Sequence, residues 1–100
     1  MVVYIVSVSY PKEAAPKVEY ECSVYIHCRP SRGFVIPAVG VRNDSDKPIY
    51  INGEKVDPGK THIVCVFDPS RYCTSHECKF KIKFPEKGTY KYTFMAGYLS

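Results

Sequence analysis

The chain has one hundred residues, five cysteines, a net charge of +4 and a pI near 8.8. A chain of this size makes one domain, residues 1–100, burying roughly 65% of its unfolded surface, enough for a two-layer core without metals or disulfides. The charge falls short of a dedicated nucleic-acid binder, and no apolar run reaches the ~18 residues of a membrane span.

Val and Ile together supply nineteen residues, whereas Leu occurs once, at Leu99. Nine Tyr and five Phe add to a set that suits pleated, half-buried surfaces, and no stretch keeps a helical period. The chain reads as all-β. It has no Gln and only Asn43 and Asn52. Depletion of thermolabile amides is a hyperthermophile trait and suggests a thermophilic source, where intracellular disulfides are common.

In chain order, Val2 to Ser9 is the first strand. Its apolar start lacks the basic n-region of a signal peptide, so a cytoplasmic location is expected, or an extracytoplasmic one if a leader was removed. Val18 to Cys28 alternates: Val18, Tyr20, Cys22, Val24, Ile26 and Cys28 share one face. Phe34 to Arg42 is a third strand, with Pro37 placing it at an edge or a bulge. Asn43 to Pro48 is a polar turn. Asn52-Gly53 closes a type I′ hairpin that pairs Ile51 with Glu54 and Ile49 with Val56. Thr61 to Phe67 is a further strand, and Asp68 to Glu77 a loop-like insert. Lys79 to Phe84 and Thr89 to Met95 form a last hairpin. With Gly88 in a left-handed position of a bulged three-residue turn, Phe84 faces Tyr90, Ile82 faces Tyr92, and Phe80 faces Phe94.

Seven to eight short strands with turns about every ten residues suggest a sandwich or small barrel. Val41-Arg42-Asn43, Asn52-Gly53, Val56-Asp57-Pro58-Gly59-Lys60 and Lys87-Gly88-Thr89-Tyr90 together resemble the immunoglobulin-like domains of archaeal and bacterial surface proteins, of the adhesion-related CARDB type. That resemblance implies an immunoglobulin-like antiparallel sandwich with a structural or adhesive role. The cysteine-bearing insert departs from the pattern.

Cys22 and Cys28 lie six residues apart on one strand, about 20 Å, too far to bond each other. Cys73 and Cys78 bracket four residues and are placed to close on each other, while Cys65 points inward from mid-strand. Three readings stay open for Cys22, Cys28, Cys65, Cys73 and Cys78: two disulfides with a free thiol, buried inert thiols, or a metal site. The metal reading takes Cys73, His76 and Cys78 as zinc ligands, with Cys28 or His27 as a fourth.

Lys79, Lys81 and Lys83 share the outer face of one strand, with Lys91 across from Lys83. They form either a basic stripe for phosphate or an acidic partner, or a solvated guard against edge pairing. Asp44-Ser45-Asp46 is a turn that also offers oxygens to calcium, and Asn43-Asp44-Ser45 is a glycosylation sequon. No phosphate loop, nucleophile elbow or HExxH occurs, and no catalytic residues are assigned. The expected function is therefore a non-enzymatic structural or protein-interaction module, with a protein partner or an edge-strand homodimer. The alternatives are a zinc-binding or thiol-redox protein at Cys73 to Cys78, and a nucleic-acid binder at the lysine face.

Overall fold

The computed structural model describes residues 3–29, 36–69 and 74–99. Eight strands follow in order: β1 Val3–Ser9, β2 Glu19–Cys28, β3 Ile36–Asn43, β4 Ile49–Ile51, β5 Glu54–Val56, β6 Thr61–Val66, β7 Thr74–Lys83 and β8 Tyr92–Leu99. They form two antiparallel sheets, ordered β1-β2-β7-β4-β5 and β6-β3-β8. The chain is all-β, as its composition requires, and the sheets pack face to face as a sandwich.

The alternation in β2 sets the core. Cys22, Val24, Ile26 and Cys28 are fully buried, and Tyr20 packs against them. Val18 is exposed and precedes the strand, so the buried stripe begins at Tyr20. β7 adds Cys78, Phe80 and Ile82, and β3 adds Val39 and Val41 from the other sheet. Each buried branched or aromatic side chain contributes about 1.5–3 kcal/mol relative to its exposed state.

The Asn52-Gly53 hairpin has the expected register, Ile49↔Val56 and Ile51↔Glu54. Both turn residues have positive φ, 50° and 82°, as a type I′ turn demands. Asn52 also clips the hairpin to β7: its N–H donates to the Lys81 carbonyl, and its Oδ1 accepts from the Lys81 N–H, both at 2.9 Å.

Three expectations are corrected. Pro37 does not mark an edge strand: β3 is the middle of its sheet. Pro37 sits one residue inside its start, where a missing N–H removes little of the ladder, and its carbonyl accepts from the Phe67 N–H at 2.9 Å. The insert is shorter than expected. Residues 74–78 are strand, pairing with β2 from Val24↔Cys78 to Cys28↔Thr74.

The third correction is the last hairpin, which does not form. β7 lies between β2 and β4, while β8 pairs with β3 in the opposite sheet. The connection from Phe84 to Lys91 is an arch between layers, not a bulged hairpin turn, and Gly88 has φ 159°, far from the left-handed helical position near +60°. The aromatic partners nonetheless meet across the core. Phe84 and Tyr90 ring centroids are 4.7 Å apart, and those of Phe80 and Phe94 are 6.0 Å apart.

Candidate functional site

Among the described residues the outermost strands are β1, β5, β6 and β8, and β7 is also unpaired from Thr74 to Phe80 on its β4 side, a stretch that carries Glu77 and Lys79. β1 and β8 flank the same side of the sandwich, because Tyr10, just past β1, packs its ring on Tyr92 and Phe94 of β8. Between them opens a groove of about 930 Å³. Val8 and Tyr10 to Ala14 form one wall, and Glu86 to Phe94 form the other. Its floor is aromatic: Phe84 packs on Tyr90 and Tyr92, and Tyr92 meets Phe94 edge-on at 5.5 Å. An apolar floor with a few polar groups is the usual build of a binding cleft.

One buried polar residue holds this wall in place. Asn43, the last residue of β3, is fully buried. Its Nδ2 donates to the Lys47 and Val56 carbonyls at 2.8 and 2.9 Å, and its Oδ1 accepts from the Ser45 N–H at 2.9 Å. The turn it stabilises then grips the start of β8. Ser45 Oγ accepts from the Lys91 N–H at 2.6 Å, and the Asp44 N–H donates to the Lys91 carbonyl at 2.9 Å. Asp44 receives the Thr93 hydroxyl and, at 2.6 Å, Arg42 Nε. Hydrogen bonds from Thr93 and then Arg42 hold its carboxyl below the usual range, against a smaller opposing effect of burial. A glycan on the Asn43 amide is incompatible with this packing, since Nδ2 is buried and donates twice. Asp44 serves this structural bracket, which gives the turn reading of residues 44–46 its physical content.

Charge on the rim is uneven. Glu86 pairs with Lys47 at 3.5 Å, and Asp44 pairs with Arg42. Lys12, Lys87 and Lys91 are exposed and have no ion pair among the described residues. Glu13 is the one rim carboxylate likewise without a partner there. The Tyr92 phenol is pushed up to about 12, mainly by burial and further by Cys22 and Tyr10, so it stays a neutral hydroxyl at physiological pH.

The cysteines resolve differently from any single expectation. Cys65 bonds Cys78, with Cα atoms 5.9 Å apart, tying β6 to β7 across the two sheets. Closure of Cys73 onto Cys78 is thereby replaced, because strand pairing carries Cys78 inward to face Cys65. Cys73 lies outside the described residues. Cys22 and Cys28 are free and buried, and the Cys22 thiol is pushed up to about 11 by burial and then by the charge of Glu21. With its sulfur in a disulfide, Cys78 supplies no thiolate to the zinc set of Cys73, His76 and Cys78. His76 instead stacks on Phe67 at 4.4 Å, and His27 bonds Ser75. Among the described residues no group of three His, Cys, Asp or Glu converges as a metal site.

The lysine face is also revised. β7 lies between β2 and β4, and β4 with Asn52 covers it at Lys81 to Lys83, so Lys81 and Lys83 guard no edge, whereas Lys79 stands in the stretch that β4 does not reach. Lys81 lies opposite Glu21 and Lys83 opposite Glu19, while Lys79 approaches Glu77 at 3.7 Å. Lys91 belongs to the opposite sheet's wall and is not across from Lys83. The stripe is thus a mixed-charge face.

Fold and site define a two-sheet antiparallel sandwich with an aromatic groove beside an open edge. No family model, curated protein or solved structure matches the chain. No helix among the described residues is long and apolar enough to cross a membrane.

Proposed function

We propose that the chain is a non-enzymatic protein-interaction module of immunoglobulin-like build, which takes a segment of another protein as an added strand along the free edge of β8. The contrast among the outermost strands of its two sheets carries this reading. β1 has a bulge at Val6, between the pairs Ile5↔Ile26 and Ser7↔Tyr25. β6 has a bulge at Val64, between Gly40↔Ile63 and Val39↔Cys65. β5 is three residues long and carries Glu54 and Lys55. Bulges, charges and shortness all blunt an edge against pairing. β8 uses none of them: its eight residues, YTFMAGYL, run in unbroken register with β3 and hold neither charge nor proline.

Strand order supports the same reading. In immunoglobulin-like sandwiches one sheet runs A-B-E-D, and the other places C beside F and F beside G. The sheet orders β1-β2-β7-β4 and β3-β8 parallel A-B-E-D and C-F, with β6 on the far side of β3; β5 and β6 are additions to that pattern, since both fall between D and E in the chain. The G position is then the open flank of β8. An extended segment lying there gains main-chain hydrogen bonds from the edge and side-chain contacts from the groove, the two components of recognition by strand addition.

The test is selection of random octapeptides on the immobilised chain, followed by amide hydrogen exchange of the complex. Selected peptides should slow exchange in β8. Slowed exchange confined to the outer face of the five-stranded sheet overturns the reading. So does a concentration-dependent homodimer through β8 that excludes every peptide.

A further inference from the structure

We infer that the segment taken up beside β8 is acidic, with carboxylates alternating with apolar residues. This rests on the strand-addition reading and adds the chemistry of the partner. In an added strand successive side chains point to opposite sides. One set turns toward the aromatic floor formed by Tyr10, Tyr92 and Phe94. The other turns away, toward a rim where Lys12, Lys87 and Lys91 lack carboxylate partners among the described residues. The rim acids Asp44 and Glu86 are already engaged by Arg42 and Lys47, so only Glu13 offsets the three ammonium groups.

The same charge argues against a second copy as occupant. Each chain carries +4, and a symmetric β8 pair would bring two lysine rims toward each other. It also argues against the lysine face of β7 as the acidic partner's site, because Glu19 and Glu21 sit opposite its lysines. A nucleic-acid strand would seek an unbroken track of phosphate contacts and exposed stacking rings. Here the rings pack on one another: Tyr92 is in contact with Tyr10, Phe84 and Phe94.

The test uses three acetylated, fluorescently labelled octapeptides of four repeats each: Val-Glu, Val-Ser and Val-Lys. Binding to the intact chain is read by anisotropy at low salt, with amide exchange to locate the bound peptide. Three exposed ion pairs should favour Val-Glu over Val-Ser by about tenfold, with Val-Lys weakest, and the preference should fade as salt screens it. The triple variant Lys12→Ser, Lys87→Ser, Lys91→Ser should lose the preference while binding Val-Ser as before. The triple variant Lys79→Ser, Lys81→Ser, Lys83→Ser should keep it. A preference that survives the first triple variant, or disappears in the second, overturns the acidic-segment inference and leaves strand addition standing. Val-Ser bound without slowed exchange in β8 overturns strand addition itself.

Discussion

Asn43 offers the sharpest test of how the groove is built. Replacing it with Ala removes two donated hydrogen bonds and one accepted bond, each contributing about 1 kcal/mol net. It also leaves the buried Val56 carbonyl without that donor, which adds about 1–3 kcal/mol. The total is about 4–6 kcal/mol, a large share of the 5–15 kcal/mol that holds a domain of this size together. Chemical denaturation should therefore show a much earlier midpoint at unchanged m, and the Tm should fall by at least ~16 °C. Asn43→Asp sharpens the argument, because shape is kept and only the two donors are lost. The introduced carboxyl group would face two carbonyl oxygens in a buried site, which raises its folded pKa above the unfolded value near 3.9. A raised folded pKa means stability that is full below the unfolded pKa and is lost as pH rises through the folded one. Relative to wild type, Asn43→Asp should thus be least impaired in acid and most impaired at neutral pH. A loss under ~1 kcal/mol for Asn43→Ala, or a pH-independent gap for Asn43→Asp, would refute this account of the bracket.

Other expected outcomes follow from single features. Removing the Cys65–Cys78 bond, which closes a 13-residue separation, should cost about 3 kcal/mol in urea denaturation of the Cys65→Ala/Cys78→Ala variant against the oxidised chain. Native-state alkylation followed by peptide mapping should leave Cys22 and Cys28 unmodified until denaturant is added, since both are buried and the Cys22 pKa lies near 11. Gly53→Val should destabilise the domain by ~1 kcal/mol or more, because φ is 82° there and a β-branched residue resists that conformation; thermal unfolding measures it. Asp44 has a depressed folded pKa, so its contribution is present above the unfolded carboxylate pKa and is lost as pH falls through the folded one; Thr93→Ala should shrink that acid-side loss in a pH series of melts.

Alternation and turn chemistry made much of the fold legible. Period two put Cys22, Val24, Ile26 and Cys28 on one buried face of β2, and Asn52-Gly53 specified its hairpin to the residue. The first half of β7 gives no apolar alternation because its inward positions are polar, Thr74 and His76; His76 stacks on Phe67, and Thr74 Oγ1 and His76 Nε2 are buried without hydrogen-bond partners. That loss of signal also hid the Cys65–Cys78 pairing, since an apparent loop gave Cys78 no fixed direction. Asn43 was visible only as a strand-ending residue. Its burial depends on Lys47 and Val56 carbonyls from later in the chain, and no local spacing encodes that meeting.

The arch between β7 and β8 and the candidate site share one cause. Alternation specifies which face of a strand enters the core, but a hairpin and an arch both satisfy it. Phe80 meets Phe94, and Phe84 meets Tyr90, whether the strands are neighbours in one sheet or opposed across two. Backbone pairing decides between them. β7 already has β2 on one side and β4 on the other, from Glu19↔Lys83 to Cys28↔Thr74 and at Tyr50↔Lys83. β2 fills one flank, and at the end that leads to β8 the β4 strand and Asn52 hold Lys81 to Lys83 on the other, so β8 does not fold back as a hairpin but crosses to the second sheet and pairs with β3. Had β8 paired with β7, its second flank would be the only one open to a partner, and the aromatic rings would lie on a single sheet face. Crossing instead leaves β8 on an edge, opposes its rings to those of Phe80 and Phe84, and sets Tyr10 against it from the other sheet. The open edge and the aromatic groove are thus two results of the same topological choice, which is why a ligand that uses one should contact the other.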